Sequence, residues 1–229
     1  MATAANALVV MTKAPEPGRS KTRLVPPLTY AEAADLARAL LADQLENLAR
    51  FAGARRFIAF TPATAAGFFA GCAAQGFQSF AQRGDDLGER MANAFGDLFA
   101  RGFGSVVLIG GDLPAVPLEV FERAYAALAS AAAEVVLGPS ADGGYYLIGM
   151  NRLVAGIFDG IVWSRADVLA RTREKCTALG LSCEILPAWY DIDKLEDLER
   201  LWPGESGRGD PMKNTLALLQ ELRRRGRVA

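Results

Sequence analysis

Short apolar runs alternate along this chain with longer segments whose apolar residues recur at helical spacing. The runs at residues 7–11, 57–60 and 105–109 have the length and the β-branched or aromatic character of buried strands. The segment from Thr29 opens with a capping-box pattern and continues with leucines on one helical face. Strands that alternate with helices favour a parallel sheet covered on both faces. We therefore predict an α/β fold: a single doubly wound, three-layer domain with a mixed, mostly parallel sheet.

The other predicted elements continue this alternation. We predict strands near residues 77–80, 135–137, 145–150 and 183–186, and helices near residues 63–74, 87–98, 117–132, 164–179, 193–201 and 212–225. Asp85 and Asp86 are the predicted caps of the 87–98 helix, and Ser164 with Asp167 caps the 164–179 helix. Glycine and proline concentrate between residues 203 and 210. We therefore assign residues 1–202 to one domain and residues 203–229 to a C-terminal linker with a helical appendage.

Composition excludes several classes of function. The 229 residues contain no histidine, which rules out Ser-His-Asp and Cys-His catalysis and histidine-ligated zinc. With 25 Lys+Arg against 26 Asp+Glu, the chain has no overall positive field for nucleic acid or anionic membranes. No apolar run has the length of a membrane span, the three cysteines form no C-x-x-C pair, and residues 1–11 do not resemble a secretion signal. We expect a cytoplasmic protein, monomeric or homodimeric, that binds no nucleic acid.

The loop that leaves the first predicted strand contains four cations and a glycine: Lys13, Gly18, Arg19, Lys21 and Arg23. Charge-assisted hydrogen bonds from such side chains suit a polyanion, and prolines fix the loop at the exit of a strand. The spacing fits neither a Walker loop nor the glycine pattern of dinucleotide-binding folds. A solvated basic loop is the alternative. We predict that these five residues contact the phosphates of a nucleotide.

Carboxylates in two other segments are candidate metal ligands. Asp112 follows a buried strand, and Gly111 before it lets a ligand approach the backbone closely. Asp191 and Asp193 alternate in an extended segment, so their side chains point to the same side. Carboxylate oxygens are the ligands that Mg²⁺ and Mn²⁺ prefer. The alternatives are that Asp112 begins a turn before proline and that Asp193 is the N-cap of the next helix.

Two further blocks combine glycine with charged or aromatic residues. Gly143 and Gly144, flanked by Asp142 and Tyr145, have the usual composition of a hairpin turn, but an aspartate and two tyrosines reach the same predicted edge of the sheet. Near residue 85, helix capping accounts for the acidic residues but gives no structural role to Arg83 or Arg90. We expect one of the two arginines to reach substrate and assign Arg83 to the phosphate-binding group.

Five blocks in this order resemble a family of bacterial proteins with the glycosyltransferase-A fold, provisionally named nucleotide-diphospho-sugar transferases. The blocks are residues 13–24, 82–91, 110–114, 140–149 and 191–193. The resemblance extends over about residues 8 to 201, and it includes more distant relatives by fold, the molybdenum-cofactor and phospholactate guanylyltransferases. Unlike many glycosyltransferases, this chain has a single aspartate after the central strand, at Asp112.

The resemblance implies where each substrate would bind. A nucleotide would lie over the first loop with Lys21 and Arg23 on its phosphates, and a divalent metal, Mg²⁺ or Mn²⁺, would bind Asp112. Asp191 or Asp193 would close the metal site from the far side. The remaining implied site residues line the acceptor or sugar pocket, namely Asp142, Gly143, Gly144 and Tyr145.

Two reactions are consistent with this resemblance. In glycosyl transfer from a nucleotide sugar, the metal stabilises the leaving nucleoside diphosphate, and Asp142 could act as the base on an acceptor hydroxyl, with Asp112 as the second catalytic residue. In nucleotidyl transfer of the guanylyltransferase kind, a small phosphorylated acceptor attacks a nucleoside triphosphate and no protein base is needed. The family resemblance favours a metal-dependent nucleotide-sugar glycosyltransferase, with a nucleotide-sugar donor and a small-molecule acceptor as partners. A nucleotide-binding module without turnover is the third alternative.

Overall fold

The computed structural model describes residues 5–130, 132–201 and 212–228. The strands are β1 (Asn6–Lys13), β2 (Arg55–Thr61), β3 (Phe77–Ala81), β4 (Ser105–Gly110), β5 (Val135–Pro139), β6 (Tyr145–Met150) and β7 (Cys183–Ile185). The helices are α1 (Tyr30–Ala49), α2 (Ala66–Ala70), α3 (Leu87–Ala100), α4 (Leu118–Ala129), α5 (Val168–Ala178), α6 (Leu195–Glu199) and α7 (Lys213–Arg224). Within these ranges, none of the helices has both the length and the apolar character that crossing a membrane requires.

The seven strands form one sheet in the order β3-β2-β1-β4-β6-β5-β7. The β1 strand pairs in parallel with β2 on one side and with β4 on the other, and β7 pairs in parallel with β5. The β6 strand is antiparallel to both of its neighbours. The sheet is therefore mixed and mostly parallel, as predicted. Its topology places the carboxyl ends of β1, β2, β3 and β4 at one edge, where ligands bind in doubly wound folds.

Alternate residues of the central strands pack on opposite faces of the sheet. In β1, Leu8 and Val10 belong to the apolar core beneath α1 and α4, whereas Ala7 and Val9 belong to the core beneath α3 and α5. The four side chains are completely buried. Burial on both faces is the reason why β1 reads as a continuous apolar run rather than an alternating one. The predicted three-layer arrangement is confirmed.

Side-chain caps fix the starts of α1 and α3, whereas α2, α4, α5 and α7 begin without a side-chain capping bond. Thr29 and Glu32 form the predicted capping box, and the Asp86 carboxylate accepts a hydrogen bond of 2.8 Å from the Glu89 amide at the start of α3. The predicted cap of α5 is wrong, because Ser164 lies in an irregular segment with a φ of 62° and the N-cap, Asp167, forms no side-chain capping bond. The predicted 63–74 helix is divided between the short helix α2 and flanking 3₁₀ turns.

The C-terminal helix α7 packs on α1 and contributes to a third apolar core. Leu219 and Leu222 are completely buried there. The buried Asp43 carboxylate of α1 accepts three hydrogen bonds of 2.8–2.9 Å, two from Asn214 and one from the Thr215 amide. The helix predicted as an appendage is therefore a packed layer of the molecule. The predicted boundary at residues 202–203 and the linker up to residue 211 lie outside the described residues.

Candidate functional site

Two cavities that share a wall open at the carboxyl edge of the sheet. The first has a volume of about 380 Å³ and is lined by the ends of β1 and β2, by the loop after β1 and by the start of α3. The second, of about 210 Å³, is lined by the turn between β5 and β6 and by the segment before α5. The residues that line both cavities are Leu87, Asp112, Trp163 and Ser164. Asp112 therefore lies where the two cavities meet.

The loop after β1 is folded tightly over the first cavity. The amides of Arg19 and Ser20 donate to the Glu16 carbonyl at 3.1 Å, and the Ser20 hydroxyl accepts from the Glu16 amide. Gly18, with a φ of 77°, supplies the left-handed conformation that this turn needs. The loop directs two predicted phosphate-binding residues, Lys13 and Arg19, to the wall of the first cavity and to an adjoining recess of about 310 Å³.

Lys21 joins two segments that are distant in sequence. Its Nζ donates at 3.1 Å to both the carbonyl oxygen and the carboxylate Oδ2 of Asp112, and at 3.3 Å to Oδ1 of Asp193. The three donors of the ammonium group are thereby used. Only 3% of the Lys21 side chain is exposed, and its backbone has a φ of 48°, so the chain holds the ammonium at this position. The structure thus places a buried positive charge between two predicted metal ligands.

Asp193 faces this cluster instead of capping a helix. Its second oxygen accepts a hydrogen bond of 3.1 Å from Arg23, whose side chain is 72% exposed. At the start of α6 the Asp197 carboxylate accepts from the amides of Asp193 and Lys194, and the N-cap is Lys194. The alternative that Asp193 is the N-cap is therefore wrong. Its carboxylate is held by Lys21, which lines the first cavity, and by Arg23, which is not among the residues that line either cavity.

Asp112 is held in its ionised form. Desolvation of the carboxyl raises its pKa, but the charge and hydrogen bond of Lys21, together with a backbone hydrogen bond and the charge of Lys13, lower the pKa by more, so that the net value lies below the ordinary one. The side chain still has 61% of its surface open to the cavities. Gly111 allows the backbone to pass close to β1, because a Cβ at this position would lie 2.6 Å from the Thr12 Cβ.

The second cavity contains three of the predicted carboxylates. Asp142, Asp191 and Asp112 line it, together with Ser140 and Arg165. Ser140 donates a hydrogen bond of 2.7 Å to Asp191. Burial raises the pKa of Asp191, and the nearby negative charges of the other aspartates raise it further, while the Ser140 bond acts in the opposite direction. The carboxylates are thus near enough to interact.

The predicted metal ligands have suitable chemistry but do not form a complete metal site. Asp112, Asp191 and Asp193 supply the hard oxygen donors that suit Mg²⁺ or Mn²⁺. In residues 5–130, 132–201 and 212–228, no three Asp, Glu, Cys or His side chains converge as a metal site would require. The Lys21 ammonium lies against two of the three carboxylates. The carboxylates therefore have the donor chemistry for a divalent ion, and the Lys21 ammonium occupies the position between two of them.

The turn between β5 and β6 fixes the wall of the second cavity. Gly143 has a φ of 88°, and a Cβ on it would lie 2.0 Å from the carbonyl oxygen of Ala166. The Gly143 carbonyl accepts a hydrogen bond of 3.0 Å from the Leu169 amide, and the Gly144 amide donates to the Asp142 carboxylate. Gly143 thus holds the segment before α5 against the turn.

The two tyrosines beside this turn keep their hydroxyl protons. Burial raises the pKa of the Tyr145 hydroxyl, whose ring packs beside the core beneath α5. Burial also raises the pKa of Tyr146 to about 12, and its hydroxyl donates to the Pro187 carbonyl. Both residues line the second cavity, but neither hydroxyl can act as a base near neutral pH.

The two arginines near residue 85 occupy different places. Arg83 pairs with Asp97 at 2.6 Å and is not among the residues that line either cavity. Arg90 lines the first cavity, and its Nε donates at 2.9 Å to the Gly84 carbonyl. The structure therefore brings Arg90, rather than Arg83, to the predicted phosphate site.

Sequence reasoning missed the aromatic part of the site. Trp163 lines both cavities and stacks at an angle on Phe158, and a Cβ on Gly88 would lie 2.7 Å from its ring. Leu87 beside it is 44% exposed. The sequence carried no signal for either residue, because Leu87 continues the apolar pattern of α3 and Trp163 lies in an irregular segment.

Comparison with known proteins identifies the family. Residues 44–165 match the family described as "Uncharacterized protein conserved in bacteria (DUF2064)". The chain belongs to this DUF2064 family. No curated protein sequence matches the chain.

The DUF2064 chain is also similar to solved structures. A protein from Desulfovibrio desulfuricans G20, provisionally named a nucleotide-diphospho-sugar transferase, is 35% identical, with 98% of each chain covered and a TM-score of 0.85. A cytidylyltransferase from Leptospira borgpetersenii serovar Hardjo-bovis strain JB197 is 13% identical, with 97% and 95% covered and a TM-score of 0.61. The manganese complex of Rv0371c from Mycobacterium tuberculosis H37Rv is 19% identical, with 87% and 98% covered and a TM-score of 0.50. The chain has the nucleotide-diphospho-sugar transferase fold.

Proposed function

We propose that the protein is a metal-dependent transferase that moves a sugar from a nucleotide sugar to a small hydroxylated acceptor. The observation that carries this proposal is the pair of cavities that meet at Asp112. A group-transfer enzyme needs two bound substrates whose reacting atoms come together at one point. The first cavity would hold the nucleotide donor and the second the acceptor. The name given to the Desulfovibrio relative supports the same assignment.

Charge distinguishes the two cavities. Four cations line the first, which suits the diphosphate of a donor: Lys13, Arg19, Lys21 and Arg90. The second is lined by three aspartates and one arginine, and Arg165 is itself paired with Asp167 at 3.3 Å. A phosphorylated acceptor would meet like charges in the second cavity, whereas sugar-like hydroxyl groups would donate hydrogen bonds to the carboxylates.

The side chains suggest a division of labour in the reaction. Lys21 and the cations of the first loop would bind the donor phosphates and neutralise the charge that develops on the leaving diphosphate. Asp142, in the second cavity, would accept the proton of the acceptor hydroxyl as it attacks the sugar carbon. Asp112, Asp193 and Asp191 would hold Mg²⁺ or Mn²⁺, which when bound stabilises the same leaving group.

Nucleotidyl transfer is the second candidate. The observation that favours it is the fold likeness to the cytidylyltransferase from Leptospira and to a CMP:2-keto-3-deoxy-manno-octonic acid synthetase complexed with CTP, which is 12% identical with a TM-score of 0.57. The cations of the first cavity suit a triphosphate as well as a diphosphate. The acidic second cavity disfavours a phosphorylated acceptor in this reaction too.

A ligand panel tests the donor assignment. Thermal unfolding would be followed with nucleoside triphosphates, diphosphates and nucleotide sugars, each with and without Mn²⁺. A ligand at a hundredfold its dissociation constant stabilises the fold by about 2.7 kcal/mol. We expect the nucleotide sugars of one base to raise the unfolding temperature, and we expect this increase to depend on Mn²⁺. If no nucleotide stabilises the protein, the first cavity is not a nucleotide site.

Single substitutions then test individual roles. We expect Lys21→Ala to weaken nucleotide binding about thirtyfold, which corresponds to about 2 kcal/mol for a lost charged hydrogen bond. Arg83→Ala is the matched control, because Arg83 lies outside both cavities, and it should leave the affinity unchanged. Asp142→Asn should retain donor binding but lose transfer. Loss of donor binding in Asp142→Asn would place the donor in the second cavity and contradict the assignment.

A further inference from the structure

The Lys21 ammonium lies between two carboxylates that have the donor chemistry for a divalent cation. It contacts Oδ2 of Asp112 and Oδ1 of Asp193, two of the three carboxylates with the chemistry of metal ligands. Its side chain is almost completely buried, and its three hydrogen-bond donors are satisfied. A positive charge at hydrogen-bond distance from both carboxylates opposes the binding of a second cation there.

We propose that Lys21 couples anion binding to metal binding, so that the protein takes up its divalent cation only after a phosphate has drawn the ammonium away. The inference rests on the proposed function, because it assigns the phosphates of the donor to the first cavity. An anion in that cavity offers Lys21 a new partner. As Lys21 turns toward it, Asp112 and Asp193 lose their counter-charge and become available to the metal.

The neighbouring residues make this exchange feasible. The first cavity adjoins Lys21 and is lined by three further cations, Lys13, Arg19 and Arg90, so a bound anion would lie within reach of the ammonium. Arg23 stays on the second oxygen of Asp193 and holds that carboxylate in place when Lys21 leaves. Asp112 has 61% of its side chain open to the cavities, so the vacated position is accessible from solvent.

Binding of Mn²⁺ alone tests the proposal without any turnover. The free Mn²⁺ concentration would be followed by electron paramagnetic resonance in titrations of the wild type, Lys21→Met and Lys13→Met. Lys13→Met is the matched control, since it removes the same charge from the same cavity but no contact to either carboxylate. We expect Lys21→Met to bind Mn²⁺ about tenfold more tightly than the wild type, which corresponds to about 1.4 kcal/mol. Lys13→Met should change the affinity less.

A second arm tests the coupling itself. Sodium sulfate supplies a phosphate-like anion that chelates Mn²⁺ weakly, and sodium chloride at equal ionic strength is its control. Sulfate should raise the Mn²⁺ affinity of the wild type but not that of Lys21→Met. If Lys21→Met does not fold, Lys21→Gln replaces it, with folding checked by circular dichroism.

The outcomes separate this inference from the proposed function. Equal Mn²⁺ affinity in the wild type and Lys21→Met would overturn the inference, whereas sugar transfer by the wild type would still support the proposed function. Tighter binding in Lys21→Met that disappears in Lys21→Met/Asp112→Asn supports the inference whether or not a donor sugar has been identified. Absence of Mn²⁺ binding in every variant overturns it.

Discussion

Replacing Gly143 with alanine should destabilise the protein far more than the same change at a glycine in open space. Gly143 has a φ of 88°, a conformation that disfavours an L-residue by about 1–2 kcal/mol. A Cβ at this position would also lie 2.0 Å from the Ala166 carbonyl oxygen, so the backbone before α5 must move. Overpacking of this kind typically costs a further 1–3 kcal/mol, about the scale expected here.

Gly180→Ala is the matched control for this prediction. Gly180 follows the end of α5 with a φ of 66°, but a Cβ there would have no neighbour within 4 Å. The Gly180→Ala variant therefore has the conformational penalty without the steric one. The free energies of unfolding of the two variants would be measured by urea denaturation. Their difference gives the cost of the contact between the added Cβ and the Ala166 carbonyl oxygen. We expect Gly143→Ala to be less stable than Gly180→Ala by about 1–3 kcal/mol.

The same substitution should alter the site. Ala166 belongs to the segment that carries Trp163 and Ser164, which line both cavities. Displacing this segment should weaken ligand binding in Gly143→Ala but not in Gly180→Ala. Equal stabilities of the two variants would refute the argument that the close contact at Gly143 fixes the cavity wall.

Three other substitutions test the helix contacts. Asp43→Ala should destabilise the protein by about 2–4 kcal/mol, because it removes three hydrogen bonds to α7, whereas Asp35→Ala on the exposed face of α1 should change urea stability little. Asp86→Ala should cost about 1 kcal/mol in the same assay through the lost cap of α3. The hydrogen bond from the Thr29 amide lowers the pKa of Glu32 from its ordinary value of 4.5. Glu32→Gln should therefore reduce the free energy of unfolding by about 0.5 kcal/mol at pH 7, and this difference from the wild type should disappear as the pH falls below 4.5.

The fold could be predicted from the sequence because local patterns and the global architecture agree. Apolar runs such as β1 are buried on both faces, and the capping box at Thr29 fixes the start of α1 without reference to the rest of the chain. Packing of α7 on α1 was not predictable in this way. It depends on the buried Asp43 carboxylate, which in the sequence is indistinguishable from an exposed helix residue.

The candidate site was predictable in its composition and not in its connections. Lys21, Asp112 and Asp193 stand out as charged residues beside glycine or after strands, but their contact spans 91 and 172 residues of sequence. It also requires the left-handed backbone at Lys21, which local propensity does not favour for lysine. Trp163 was missed because it lies in an irregular segment whose position is set by the tertiary contact at Gly143.

The phosphorus-containing product is the most direct test of whether the two cavities support transfer of a sugar from a nucleotide. Purified protein would be incubated with the diamagnetic ion Mg²⁺, the nucleotide sugar that stabilises it and a panel of hydroxylated acceptors, and the products followed by ³¹P NMR. We expect the wild type to release a nucleoside diphosphate and Asp112→Asn to release none. Release of pyrophosphate from a nucleoside triphosphate, with no nucleoside diphosphate from any nucleotide sugar, would contradict this expectation.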